Sequence, residues 1–148
     1  MKIEGTHEFD SPREEVWDLV RDPETVRRLV PGVERLEEVS ETEYRGELKV
    51  GKGWIKTTYD VAIRVAEETP PERLALDVEG RGSLGDAEGG LRIDLSEISA
   101  GRTRMRYAVE VDLGGRAGAM SGMLEGLARD RTRQGLAELD REIEKRRG

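Results

Sequence analysis

Residues 115–147 read as one long amphipathic helix, and its length leaves few ways to arrange the rest. Met120, Met123, Leu124, Leu127, Ala128, Leu136, Leu139 and Ile143 recur at three- and four-residue spacing, which lays them along one stripe. At 1.5 Å per residue the helix would run roughly 45 Å. In a chain of 148 residues it must cross the whole body of the fold, and its stripe needs a facing layer.

The preceding residues supply that layer as strands. Lys2 to Phe9 alternates, with Ile3, Gly5, His7 and Phe9 on one face and Lys2, Glu4, Thr6 and Glu8 on the other. Ser11-Pro12-Arg13-Glu14 then reads as an N-cap serine, a first-turn proline and a capping-box glutamate. The short helix that follows buries Val16, Leu19 and Val20, with Trp17 at its edge. Asp22-Pro23 starts a second short helix with Val26, Leu29 and Val30 inward, and Pro31-Gly32 stops it.

From Val33 the period is two. An irregular edge strand covers about 33–40. Next come the inward faces Tyr44, Gly46, Leu48 and Val50, then Ile55, Thr57, Tyr59, Val61, Ile63 and Val65. Pro70-Pro71 ends that strand. Leu74, Leu76 and Val78 follow, then Gly89, Leu91, Ile93 and Leu95, and last Thr103, Met105, Tyr107, Val109, Val111 and Leu113. The opposite faces are charged in nearly every strand. That pattern implies antiparallel pairing with one wet face, leaving the C-terminal helix to cover the dry one. The class is α+β: a curved seven-stranded antiparallel sheet wrapped around a long C-terminal helix, with two short helices after the first strand. Residues 1–148 read as one domain.

Charge narrows the function. With 39 % charged residues and a net charge of −7, the chain lacks the basic face that nucleic acid requires. It has no cysteine and one histidine, which excludes disulfides, thiolate metal sites, His-based zinc motifs and a cysteine nucleophile. No cofactor is implied. No apolar run reaches the length of a membrane span, and the N-terminus lacks a signal-peptide core, so the expected location is the cytoplasm. The absence of asparagine, a single glutamine (Gln134) and the abundance of Arg and Glu fit a heat-loving source or a GC-rich genome. Gly80-Arg81-Gly82-Ser83-Leu84-Gly85 matches GxGxxG in letters only, because a strand rather than a helix follows it. No serine lies in a nucleophile-elbow pattern, and no catalytic residue is assigned.

Gly5, Gly46, Gly80, Gly82 and Gly89 all fall on inward phases. Either they let a strongly curled sheet bend, or they leave room for a cavity between sheet and helix. Polar groups face the same side: His7, Thr57, Tyr59 and Tyr107 on strands, and Arg131 within the helix stripe. An unpaired cation in an apolar interior costs several kcal/mol, so Arg131 must reach solvent, a carboxylate or a ligand oxygen. His7 is a core histidine or a ligand contact, since a lone histidine without a positioned partner is a poor acid–base group. In an up-and-down sheet the turns near Lys52, at 82–86 and at 114–118 share one end, beside Trp54. Glycines at 114, 118, 122 and 126 would loosen the helix start there, giving a gate, or would admit a close-packed partner backbone. The candidate ligand-binding set is His7, Trp54, Thr57, Tyr59, Leu76, Gly89, Tyr107, Met120, Leu124, Leu127 and Arg131.

Met1-Lys2-Ile3-Glu4-Gly5, Ser11-Pro12-Arg13-Glu14-Glu15-Val16-Trp17, Asp22-Pro23-Glu24, Val30-Pro31-Gly32-Val33-Glu34 and Val50-Gly51-Lys52-Gly53 together resemble the CoxG family, the G subunits of carbon monoxide dehydrogenase. That family belongs to the START-like, polyketide-cyclase-type (SRPBCC) superfamily with the helix-grip fold. The similarity runs from residue 1 to about 140. It implies a deep cavity for a hydrophobic small molecule, and a part in carbon monoxide oxidation by a molybdenum hydroxylase through membrane recruitment or quinone handling. Members commonly carry a further C-terminal membrane-binding segment, which is not seen in this sequence. Arg131 and Gly135 stand where bulky apolar residues are usual, so the cavity is expected to be more polar or differently shaped. Three readings follow: a non-enzymatic binder of a lipid- or quinone-like molecule; a cyclase or dehydratase in which His7, Tyr59, Tyr107 and Arg131 polarise a carbonyl; and an accessory subunit acting through its surface. The oligomeric state is left open.

Overall fold

Period-two patterning produces seven strands in one antiparallel sheet: β1 (Lys2–Phe9), β2 (Val33–Ser40), β3 (Glu43–Lys52), β4 (Ile55–Thr69), β5 (Arg73–Arg81), β6 (Ala87–Ser99) and β7 (Arg102–Leu113). The order across the sheet is β1-β7-β6-β5-β4-β3-β2. Every connection from β2 to β7 is therefore a hairpin, and only β1 pairs far along the chain, with Gly5 opposite Tyr107 and His7 opposite Met105. Two short helices, α1 (Arg13–Arg21) and α2 (Pro23–Leu29), follow β1, and the long helix α3 (Ser121–Arg147) closes the chain. The computed structural model describes residues 1–29, 33–52, 55–83, 85–114 and 121–147, and of these only the backbone at 26, 28–29, 50–52, 55–56, 121, 124 and 147. Trp54, Met120, the Pro31-Gly32 stop, the glycines at 115 and 118 and the Leu124 side chain thus lie outside the described residues.

The expected edge strand is an edge. β2 pairs only with β3 and slips register between Val33 and Arg35 and again between Glu38 and Ser40. Val39 is 56 % exposed there.

Three local expectations need correction. Trp17 is buried among Phe9, Val16, Leu19, Leu74, Ile93, Leu95, Met105, Leu139 and Ile143 rather than standing at an edge. Pro12 occupies the N-cap of α1, and the Ser11 hydroxyl donates to Glu15 at 2.6 Å instead of capping the helix with Glu14. Met123 is exposed, because the apolar stripe of α3 is covered only in its C-terminal half. The cap on α2 is as expected: Asp22 accepts the Glu24 backbone N–H at 3.0 Å and the Thr25 hydroxyl at 3.3 Å.

The core sits at one end of the sheet, where α1 and the last turns of α3 meet the start of β5 and β7 and the end of β6. A buried hydrogen bond from the Thr103 hydroxyl to the Ser11 carbonyl (2.7 Å) fixes the turn between β1 and α1 to β7. Arg21 ties α1 to the far strands. Its guanidinium pairs with Glu68 and donates to the Tyr44 hydroxyl at 2.8 Å. Those two contacts hold the Arg21 pKa above its ordinary value, Glu68 contributing most.

Candidate functional site

Burial changes along the inner face. At the core end Leu74, Ile93, Leu95, Thr103 and Met105 are buried. Farther along the same strands the inward aliphatics Val61, Leu76, Val78, Leu91, Val109, Val111 and Leu113 are only half-buried. The helix follows suit: Leu139 and Ile143 are buried, while Leu127, Ala128 and Arg131 are half-buried. Leu76 and Leu91 still pack against the core cluster, so the looser part of this face begins beyond them.

The turns at that end converge as the topology requires. The Gly114 N–H donates to the Asp86 carbonyl at 2.9 Å, joining the end of β7 to the β5–β6 turn. The Thr57 and Ser83 hydroxyls lie 3.4 Å apart, joining β4 to the same turn. Gly85 adopts φ 122°, a conformation that only glycine takes without strain. Arg131 reaches from α3 to this end of β3, where its Nη1 donates to the Lys49 carbonyl at 3.3 Å. Lys49 pairs with Thr58, so the guanidinium is held one strand from Thr57 and Tyr59. Thr57, Tyr59, Ser83, Asp86 and Arg131 are thereby gathered at this end of the sheet, where the mouth of a cavity is expected.

Tyr59 is buried, with its ring lying across β5. A β-carbon at Gly82 would come within 3.0 Å of the ring, and one at Gly80 within 3.2 Å. Its hydroxyl is fully covered and has no hydrogen-bond partner among the described residues. Burial first, and the nearby Asp86 charge second, push the phenol pKa up from its usual value.

The inward glycines are sites of close approach. Tyr59 fills the space at Gly80 and Gly82, and the Tyr107 hydroxyl would lie 2.6 Å from a β-carbon at Gly5. At Gly46 and Gly89 a β-carbon would strike the neighbouring strand's backbone, 2.0 Å from the Arg35 carbonyl and 2.2 Å from the Glu110 carbonyl. Of the two readings of these glycines, close packing in a curled sheet accounts for all five. On the helix, nothing lies within 4 Å of a β-carbon at Gly122 or Gly126, so among the described residues no backbone packs there.

His7 has a partner that the sequence did not point to. Its Nε2 lies 3.0 and 3.1 Å from the two carboxylate oxygens of Asp140 on α3, and its ring meets Phe9 edge-on at 4.7 Å. The pair clasps β1 to the helix. Tyr107 lies beside it, over Gly5, while Tyr59 and Arg131 belong to β4 and α3 on the other side. Three strand spacings separate β7 from β4, roughly 14 Å along the sheet. The four groups that a carbonyl-polarising enzyme would need thus fall into two sets with separate partners. Ser83, Asp86 and Asp140 were missed in the sequence. The first two sit in a turn already placed at the mouth, and Asp140 directly follows Leu139 of the helix stripe.

Two surface hollows, of about 540 and 300 Å³, lie on the β1-β7-β6 side among Thr6, Glu8, Arg92, Arg104 and Arg106, apart from the mouth. Among the described residues no cluster of three His, Asp or Glu stands ready for a metal. No helix there is long and apolar enough to cross a membrane.

The family model for the G subunit of carbon monoxide dehydrogenase (CoxG) matches residues 5–143. The chain belongs to the CoxG family. A solved structure of a conserved protein from Geobacillus kaustophilus is similar to this CoxG-family chain at 29 % identity and a TM-score of 0.89, covering 98 % of this chain and 96 % of that one. A START superfamily protein from Mycobacterium smegmatis shares the fold at 12 % identity and TM-score 0.71, over 96 % and 98 % of the two chains. A protein from Thermus thermophilus does so at 17 % and 0.68, over 97 % of each. No curated protein matches the sequence. This CoxG-family chain is therefore a START-like helix-grip.

Proposed function

We propose that residues 1–148 act as one START-like domain that binds a hydrophobic or amphipathic small molecule, lipid- or quinone-like, between the sheet and the N-terminal half of α3. The observation that carries this reading is the change in burial along shared elements. Leu139 is 6 % exposed and Leu74 is 2 % exposed, while Leu127, Val78 and Val109 on the same elements or sheet face stay half-buried. An apolar wall of that kind, with a few polar groups at its rim, is the ordinary make-up of a small-molecule site. Membership of the CoxG family supports a cytoplasmic accessory role beside a carbon monoxide dehydrogenase-type molybdenum hydroxylase.

Native mass spectrometry of the protein purified from its own host tests the reading. The expected spectrum shows an added mass that denaturation releases and that extracts into organic solvent. Bare protein that also fails to take up added hydrophobic probes would refute it.

A further inference from the structure

We infer that Tyr59 is the hydrogen-bond donor for an uncharged oxygen acceptor, a carbonyl or its like, on the otherwise apolar ligand; this rests on the small-molecule reading above. Three observations converge on the phenol. First, Tyr59 is only 6 % exposed, and its hydroxyl is covered without a partner among the described residues. Buried hydroxyls are nearly always hydrogen-bonded, so an orphan marks a group waiting for something. The other two tyrosines do not share this state. The Tyr44 hydroxyl accepts from Arg21, and Tyr107 is half-buried.

Second, the neighbouring polar groups at the mouth are already engaged. Thr57 and Ser83 face each other at 3.4 Å, and an Arg131 N–H is spent on the Lys49 carbonyl. Tyr59 is the member of this group whose polar atom is buried with no partner among the described residues. Third, the ring lies over Gly80 and Gly82, beside the β5–β6 turn that Thr57 and Gly114 also reach. Burial and the Asp86 charge keep the phenol protonated at neutral pH, so it arrives as a donor. The same Asp86 charge disfavours a carboxylate at that point.

A matched set of probes tests this by calorimetric titration: 2-acetylnaphthalene, its oxygen-free counterpart 2-ethylnaphthalene, and 2-naphthoate. The wild-type protein should bind the ketone about tenfold more tightly than the hydrocarbon and more tightly than the carboxylate. Tyr59→Phe should bind ketone and hydrocarbon alike while keeping the wild-type affinity for the hydrocarbon. Its urea midpoint should equal or exceed that of the wild type, since the lost hydroxyl has no partner in the free protein. Equal binding of ketone and hydrocarbon by the wild type overturns the inference and leaves the small-molecule reading standing. So does a Tyr59→Phe variant that keeps the preference, or one that loses stability with the preference unchanged. Tighter binding of naphthoate overturns the uncharged character of the acceptor. Failure of all three probes to bind removes the small-molecule reading itself, and this inference with it.

Discussion

Truncating two leucines on the same helix measures whether the two ends of the interior differ as the burial pattern indicates. Leu139 and Leu127 are both on the inward stripe of α3, three turns apart, but Leu139 is 6 % exposed and Leu127 half-buried. Leu→Ala at a closed site loses the transfer free energy of the removed carbons and adds a term for the void, about 2.7–5.0 kcal/mol in the best-studied series. Leu139 packs against the buried cluster of Phe9, Trp17, Ile93 and Met105, which has little freedom to collapse, so about 3–4 kcal/mol is expected there. At Leu127 part of the side chain is already outside close packing, and the void it would leave joins space already present. Only a partial transfer term remains, about 1 kcal/mol. The gain in helix propensity from Leu to Ala is the same at both positions and cancels. Urea denaturation of the two variants, with the slope checked for constancy, should separate them by about 2 kcal/mol or more. For a chain of this size that is about 5 °C or more in Tm. Equal losses, with Leu127→Ala also costing about 3 kcal/mol, would mean that the mouth end is as solid as the core, and the reasoning from burial would fail.

Two glycines of opposite setting give a second contrast. Gly89→Ala places a β-carbon 2.2 Å from the Glu110 carbonyl, a backbone atom that cannot step aside. The expected cost is about 3 kcal/mol or more by thermal or urea unfolding. Gly122→Ala meets nothing within 4 Å in an exposed helical position, so it should stabilise by about 1 kcal/mol. Tyr59 supplies a pH dependence. Its raised phenol pKa means that the folded state keeps a proton the unfolded chain gives up near 10.0. The stability tied to that proton is thus complete below pH 10 and is lost as the pH climbs through the raised folded value. Ultraviolet titration should show one of three phenols ionising late, and Asp86→Asn should bring it part of the way back without removing the larger effect of burial.

Much of this architecture could be read from spacing alone, because the sheet is wet on one side. Charges at Lys2, Glu4 and Glu8 against Ile3 and Phe9 declare which way β1 faces, and the same alternation serves the later strands except the irregular edge strand β2. Asp22-Pro23 gave the start of α2 through cap chemistry that is local to three residues. What escaped depends on contacts between distant segments. No local pattern says that Asp140 meets His7 across 133 positions, or that Tyr59 fills the space above Gly80 and Gly82. The inward glycines were ambiguous for the same reason, since a missing side chain looks alike in sequence whether its place is empty or taken by a neighbour. Met123 shows the limit of periodicity. Heptad-like spacing reports a helix face, and the length over which that face is covered depends on where the sheet ends.

The pairing of β1 with β7 sets the timetable for assembly on the ribosome. The amino group of Met1 donates to the Val111 carbonyl across 110 positions, so the first strand made has no partner until the last strand has emerged. At about 5–20 residues per second its hydrogen-bonding groups stand open for several seconds while each later hairpin can close on its predecessor. The charges at Lys2, Glu4 and Glu8 are then its protection against pairing with another nascent chain, a duty that ends once β7 docks.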